Sequence, residues 1–200
     1  MDLWDSLGTE GDRIEVVPHR PEWIDLFRQE QAAIIKACAG VVQVVEHIGS
    51  TAVPGLVAKP VLDLMPGLAA LSDGTRLVAP MAALGYVCRG EYGIPGRLYF
   101  EKRRQGWQVA HAHAFEIGSR LWLRHLAFRD YLRTHPDTTR EYAELKLRLA
   151  QQHAGDREAY TDAKAAFIED VIARAIGGHA ERIDRGRPVC GEAIPPGQPA

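Results

Sequence analysis

The chain lacks what would mark a disulfide-built, membrane-spanning or polyanion-wrapping protein. Its 200 residues hold three cysteines, Cys38, Cys88 and Cys190, widely and irregularly spaced. An odd number in no metal-like spacing excludes a disulfide framework and fits reduced thiols. No stretch approaches the roughly 20 apolar residues that cross a bilayer, and the first residues are acidic with no apolar leader. Basic surplus is missing as well. Lys and Arg number 24 against 26 Asp and Glu, for a formal charge of −2 and a pI near 6.4. Extended nucleic acid, which is bound by neutralising many phosphates, is therefore not an expected partner, and neither is a membrane. The expectation is a soluble, cytoplasmic protein acting on small molecules, and its oligomeric state is not legible. Hydrophobic residues make up 46% of the chain, enough for the core of one sizeable domain.

Punctuation by Gly and Pro divides the rest. Residues 1–13 read as a disordered lead, and the run "IEVVP" that follows it reads as a first strand. Pro21 opens a helix to about Ala39, stopped by Gly40. "VVQVVEHI" and "VLDLMPGL" are β-branched or apolar runs expected as strands on either side of the loop "GSTAVPGLVAKP", in which Pro54, Gly55 and Pro60 shape the chain. Asp73 is placed to cap a helix from about Thr75 to Leu84, ended by Gly85, and "YVCR" reads as a short strand. "RLYFEKR" and "WQVAHAHAFE" flank a Gln-Gly turn and predict a hairpin. From Ser119 the period becomes helical in three segments separated by Pro136 and Gly155, with Asp156 as cap of the last. Residues 177–200 are rich in Gly, Pro and charge and read as a flexible tail. The body is thus one domain over 14–176, with a sheet part at 14–118 and a helical part at 119–176.

Several blocks then carry a resemblance: "HIGSTAVPGLVAKPVLDL", "GRLYFEK", "HAHAFEIGS", "RHLAFRDYLRTHP", "EYAELKLRLA" and "AYTDAKAAFI". In order and spacing they resemble the GrpB family, also called UPF0157, over roughly residues 14 to 176. That resemblance implies an α+β fold of nucleotidyltransferase-like kind, a mixed β-sheet with flanking helices and a C-terminal helical half. It also implies a nucleotide, an unidentified small-molecule acceptor and a divalent metal, Mg²⁺ or Mn²⁺, while the family's own reaction is poorly defined.

In such a site a Gly-Ser turn lets backbone N–H groups and a hydroxyl approach terminal phosphates, and an Asp pair on the next strand holds two metal ions. Gly49 and Ser50 match the turn and Asp63 the first acid. Period-two alternation puts Met65 on the same strand face, where a second carboxylate is expected, and a thioether is a poor ligand for hard Mg²⁺. "WQVAHAHAFE" presents His111 and His113 on one face. With Asp63 they are the candidate catalytic and metal-binding set, as two imidazoles and one carboxylate suited to a borderline ion such as Mn²⁺ or Zn²⁺. The same imidazoles are equally suited to hydrogen-bonding phosphate or shuttling a proton.

Basic candidates for phosphate binding are Lys59, Arg97, Lys102, Lys146 and Lys164, the last two each four residues after a tyrosine, Tyr142 and Tyr160, and so on the same helical face. His47, Arg124 and Arg129 are lesser candidates. Three functions stay open: a metal-dependent nucleotidyltransferase, a nucleotide-binding or regulatory module without catalysis, and a mononuclear metal hydrolase built on the histidine pair.

Overall fold

The computed structural model describes residues 3–10 and 13–185. Five strands form one mixed sheet: β1 (Val42–Ile48), β2 (Leu62–Leu68), β3 (Tyr86–Cys88), β4 (Leu98–Arg104) and β5 (Trp107–Glu116), in the order β1-β2-β5-β4-β3. The β1/β2 and β4/β5 pairs are antiparallel and β2/β5 is parallel. The expected hairpin turns at Gln105 and Gly106, both with positive φ, as a two-residue turn between right-twisted strands requires.

Alternation along the strands separates two faces. One carries Val45, Leu62, Leu64, Leu68, Phe100 and the alanines Ala110, Ala112 and Ala114 into the main core. Over it lie α1 (Trp23–Ala37), whose Trp23, Leu26, Phe27, Glu30 and Ile34 follow a helical stripe, and the short α2 (Val78–Ala83). On the other face Ile48, Met65 and Phe115 are covered by Trp122 of α3 (Arg120–Thr134). Gly67 permits that approach, since a Cβ there would lie 2.9 Å from the Trp122 ring and 2.7 Å from Ile117.

The helical half follows, with α4 (Pro136–Gln152), α5 (Arg157–Asp162) and α6 (Ala165–Arg185). Ser119 caps α3 by accepting from the Trp122 N–H, Pro136 occupies the first turn of α4, and Asp156 caps α5 by accepting from Ala159 N–H at 3.0 Å.

Several expectations are corrected. "IEVVP" forms no strand; Val17 makes one bridge to Ala58, and Ile14 packs on Leu149 and Tyr160, so the segment clasps the helical half. Of the lead expected to be disordered, Leu3–Ser6 form a 3-10 turn, Leu7 is buried and Thr9 bridges Gln108. Asp73 pairs with Arg76 within a 3-10 stretch, and α2 begins only at Val78, which leaves Pro80 in the first turn where its missing N–H does no harm. The last helical segment breaks after Asp162, where packing of Tyr160 in the core overrides a sequence compatible with one continuous helix. Helix α6 runs to Arg185, into the stretch expected as a flexible tail; residues 186–200, with Cys190, lie outside the described residues. Cys38 and Cys88 are free thiols. Among the described residues no helix is long and apolar enough to cross a membrane.

Lys102 is also placed against expectation. It projects to the α1 face, where its Nζ meets Glu30 Oε1 at 2.8 Å while Tyr86 O–H donates to Oε2 at 2.7 Å. Burial and this carboxylate raise the Tyr86 hydroxyl well above its ordinary pKa. Breaking one partner of a buried pair strands the other, so Lys102→Met is expected to lower unfolding free energy by about 3 kcal/mol. Urea unfolding measures this, and any nucleotide-induced stabilisation should be unchanged in proportion.

Candidate functional site

The site is assembled where β1 ends. Ile48 pairs with Asp63 across the sheet, and the chain then turns at Gly49, with φ of 70°. A Cβ on Gly49 would lie 2.3 Å from Asp63 Oδ2. Only glycine both adopts that backbone and lets the main chain rest on the carboxylate. On the other side of Asp63 runs β5 in parallel register, with His111 directly opposite. His111 Nδ1 stands 3.3 Å and His113 Nε2 3.5 Å from Asp63 Oδ1, and the side chain of Asp63 is 30% exposed. Burial works against ionisation of Asp63, but hydrogen bonds from His111 and His113 outweigh it and hold the carboxyl far below the usual range. His113 itself is pushed down by burial, against the pull of Asp63.

From Asp63 a cavity of ≈ 230 Å³ opens toward the helical half, lined by Ser50, Lys59, His111, Lys146, Arg157 and Lys164 among others. Lys146 is almost fully buried, donating from Nζ to Ser50 Oγ at 2.9 Å and to the Val57 carbonyl. Its ammonium lies 4.7 Å from the centre of the Tyr142 ring, and that of Lys164 lies 3.9 Å from Tyr160. The repeated Tyr-Lys spacing thus does aim two amines into one cleft. With no carboxylate bonded to it among the described residues, the Lys146 amine is lowered to about 6, by burial first and by Lys164 second. Lys164 is lowered to about 8 by burial, with Asp63 opposing and Lys59 and Arg157 adding.

Arg97 stands outside this cavity, beside His113. Lys102 is on the opposite face of the sheet, as described above, and drops out of the phosphate-binding set. Arg129 pins α3 to β1, donating to Glu46 at 2.6 Å and to the His47 carbonyl at 3.0 Å, and Arg124 pairs with Glu169 of α6. His47 stacks on Phe27 at 4.5 Å and bonds Thr51, and burial lowers it to about 3. All three are structural.

Two neighbours escaped sequence reading. Arg157 opens α5 and lines the cavity while donating to Gln108. His125 of α3 lies 6.0 Å from the His113 ring, and burial lowers it to about 4. Neither stands in a local pattern of its own, because both arrive through packing of the helical half on the sheet.

Donor atoms of Asp63, His111 and His113 all lie within 4.8 Å of one another, near enough for a single ion to be considered. A two-Mg²⁺ pair does not fit. Met65 is fully buried among Ile48, Phe115 and Trp122, so the second acid's position is dry core.

A family model described as GrpB protein matches residues 13–174. The chain belongs to the GrpB family. A UPF0157 protein of Pseudomonas aeruginosa is 41% identical over 84% of this chain and 69% of its own length. YqkA of Bacillus subtilis is 34% identical over 78% of this chain, which spans 46% of it. A dephospho-CoA kinase of Mycolicibacterium paratuberculosis is 25% identical over 81% of this chain and 46% of that protein. Among solved structures, the conserved protein GrpB from Enterococcus faecalis superposes with a TM-score of 0.77 at 33% identity, covering 83% of this chain and 99% of that one. The expected α+β architecture, a mixed sheet with flanking helices and a helical half, is therefore that of a GrpB protein.

Two outcomes follow from this geometry. Met65→Asp would place a carboxylate in apolar packing, so it should destabilise by about 3 kcal/mol or more and give no gain in Mn²⁺ affinity, by urea unfolding and calorimetry. Lys146 binds its proton less readily folded than unfolded, between about 6 and the ordinary 10.5 of a lysine amine. The unfolded chain holds more protons in that window, so this residue makes stability rise with pH. The stability of wild type relative to Lys146→Met should accordingly increase from pH 6 to pH 10, read from denaturant midpoints.

Proposed function

We propose that this cleft is a nucleotide site of nucleotidyltransferase type, with the phosphate chain in the lysine-lined cavity and Asp63 at its floor. The observation that carries the reading is the convergence of Lys59, Lys146, Arg157 and Lys164, from separate segments, around a single carboxylate. A cluster of that sign, partly desolvated, is unfavourable until an anion joins it. At ≈ 230 Å³ the cavity is smaller than the roughly 300–1,000 Å³ of pockets that enclose a drug-sized ligand, so it suits a phosphate chain and leaves the nucleoside toward the open mouth.

Each residue then has a stated task. Gly49 brings the backbone against Asp63 and sets Ser50 at the cavity wall, where its hydroxyl faces the phosphates together with Lys146. Lys164, Lys59 and Arg157 neutralise the remaining charge. A divalent ion entering with the phosphates would be held by Asp63 and would supply charge neutralisation at the phosphoryl group. Because Met65 removes the second carboxylate, the geometry supports binding more strongly than rapid transfer, and a nucleotide-binding module with weak or no turnover is the second reading.

A nucleoside triphosphate with Mn²⁺ or Mg²⁺ is expected to raise the melting temperature, with about 2.7 kcal/mol of stabilisation at a hundred times the Kd. Lys146→Met or Lys164→Met should each weaken binding about tenfold or more, the worth of one charge-assisted hydrogen bond, and Asp63→Asn should remove the metal-dependent part. An incoming anion raises both amines from about 6 and about 8, so binding at pH 7 takes up protons and weakens as pH rises. Calorimetry in buffers of different ionisation heat reads that uptake. No response to any nucleotide would overturn the proposal, and turnover of labelled nucleotide separates the two readings.

A further inference from the structure

We infer that His111 and His113 carry their protons on opposite ring nitrogens, both aimed at Asp63, so that Arg97, the two imidazoles and the carboxylate form a hydrogen-bond relay that orients Asp63 rather than a metal centre. Arg97 sets the direction of the relay, because its guanidinium donates and never accepts. Its Nη1 lies 3.3 Å from His113 Nδ1. That nitrogen must therefore present a lone pair, which puts the proton of the neutral ring on Nε2, the atom 3.5 Å from Asp63 Oδ1.

Arg97 is not free to turn away. It is buried, its Nε and Nη2 donate to the Glu91 carbonyl at 3.2 and 3.1 Å, and Nη2 donates to the Tyr92 carbonyl at 2.7 Å. The Tyr99 ring lies beneath it, 4.8 Å from the guanidinium carbon.

His111 is turned the other way. Its Nδ1 is 3.3 Å from Asp63 Oδ1, and its Nε2 is buried with no partner among the described residues. A proton on Nδ1 makes the bond to Asp63 and leaves only a lone pair unmatched at Nε2. A proton on Nε2 would strand a buried donor and set a lone pair against the carboxylate.

Metal ligation requires the reverse at both rings. The nitrogens facing Asp63 would have to give up their protons, and a metal-bound imidazole nearly always donates its other N–H to an acceptor. Here the other nitrogen meets a guanidinium in His113 and no partner in His111. The mononuclear hydrolase reading of these three residues is closed by that chemistry. What the relay achieves is a carboxylate fixed through Oδ1, with Oδ2 turned to Gly49. Arg97 acts through His113 and is a positioning residue.

The inference rests on Asp63 being the working carboxylate of the proposed nucleotide site, but its test uses no nucleotide, so the two fail separately. Protein labelled with ¹⁵N in the histidine rings is examined by long-range ¹H–¹⁵N correlation at pH 7.5, with His111→Asn and His113→Asn giving the assignments. Expected is protonated Nε2 and bare Nδ1 for His113, and protonated Nδ1 and bare Nε2 for His111. Equimolar Zn²⁺ should leave both patterns in place. Arg97→Met should convert His113 to a mixture of tautomers while His111 keeps its own, and Arg97→Lys, which retains a donor, should restore the single form. Protonated Nδ1 on His113, protonated Nε2 on His111, or a Zn²⁺-driven reversal of both would overturn the inference. If Arg97→Met does not fold, the wild-type tautomers and the Zn²⁺ response decide alone.

Discussion

The contact on which this structure turns is a backbone lying directly on a carboxylate. Gly49 follows the last residue of β1, and any side chain there would occupy the space of Asp63 Oδ2. That approach gathers the rest. The loop leaving Gly49 carries Ser50 to Lys146, and the residues after it place Val53 and Leu56 in the core of the helical half. The sheet and the helices are thereby joined at the residue that also floors the cleft. A small domain can hold a carboxylate there because β5 delivers two N–H donors to it and the cavity delivers cations.

Charge in the cleft is arranged in two layers with Asp63 between them. On one side are groups that only donate or carry positive charge, Lys146, Lys164, Lys59 and Arg157, each reaching the cavity on a different segment. On the other are rings and one guanidinium held by carbonyls, a network whose members are satisfied except for His111 Nε2 and whose job is to hold geometry. The first layer is costly without a ligand and the second is costly to disturb. This division explains why the cavity amines are lowered by burial and by one another while the carboxylate, which accepts from the imidazoles, stays ionised.

Much of the fold was legible because it is written in local periods. The strand runs before and after the glycine loop, the Gln-Gly hairpin, the change to a helical period at Ser119 and the cap at Asp156 follow from residue type and spacing alone. "IEVVP" misled because β-branched residues suit any extended segment, including one whose partners are a loop and a helix end. The break after Asp162 was hidden for a similar reason, since helix propensity does not record where Tyr160 must pack. The catalytic-type candidates were legible as types, and Asp63, His111 and His113 do meet. Lys102 was misplaced because alternation shows that neighbours point to opposite faces but not which face holds the cleft.

By itself the sequence determined the element types, the glycine that must precede a close approach, the single acid on the motif strand and the histidines that share a strand face. These depend on bond geometry and on periods of two and 3.6 residues, which act over a few positions. Only the tertiary structure decided which face was covered. It put Met65 under Trp122 and so made the place of a second carboxylate apolar, and it sent Lys102 to Glu30 instead of to the cleft. It also brought Arg97 to His113 and left His111 Nε2 without a partner among the described residues. Those outcomes depend on contacts between segments far apart in the chain, where burial and the sum of nearby charges, rather than residue type, set what an imidazole or an amine can do.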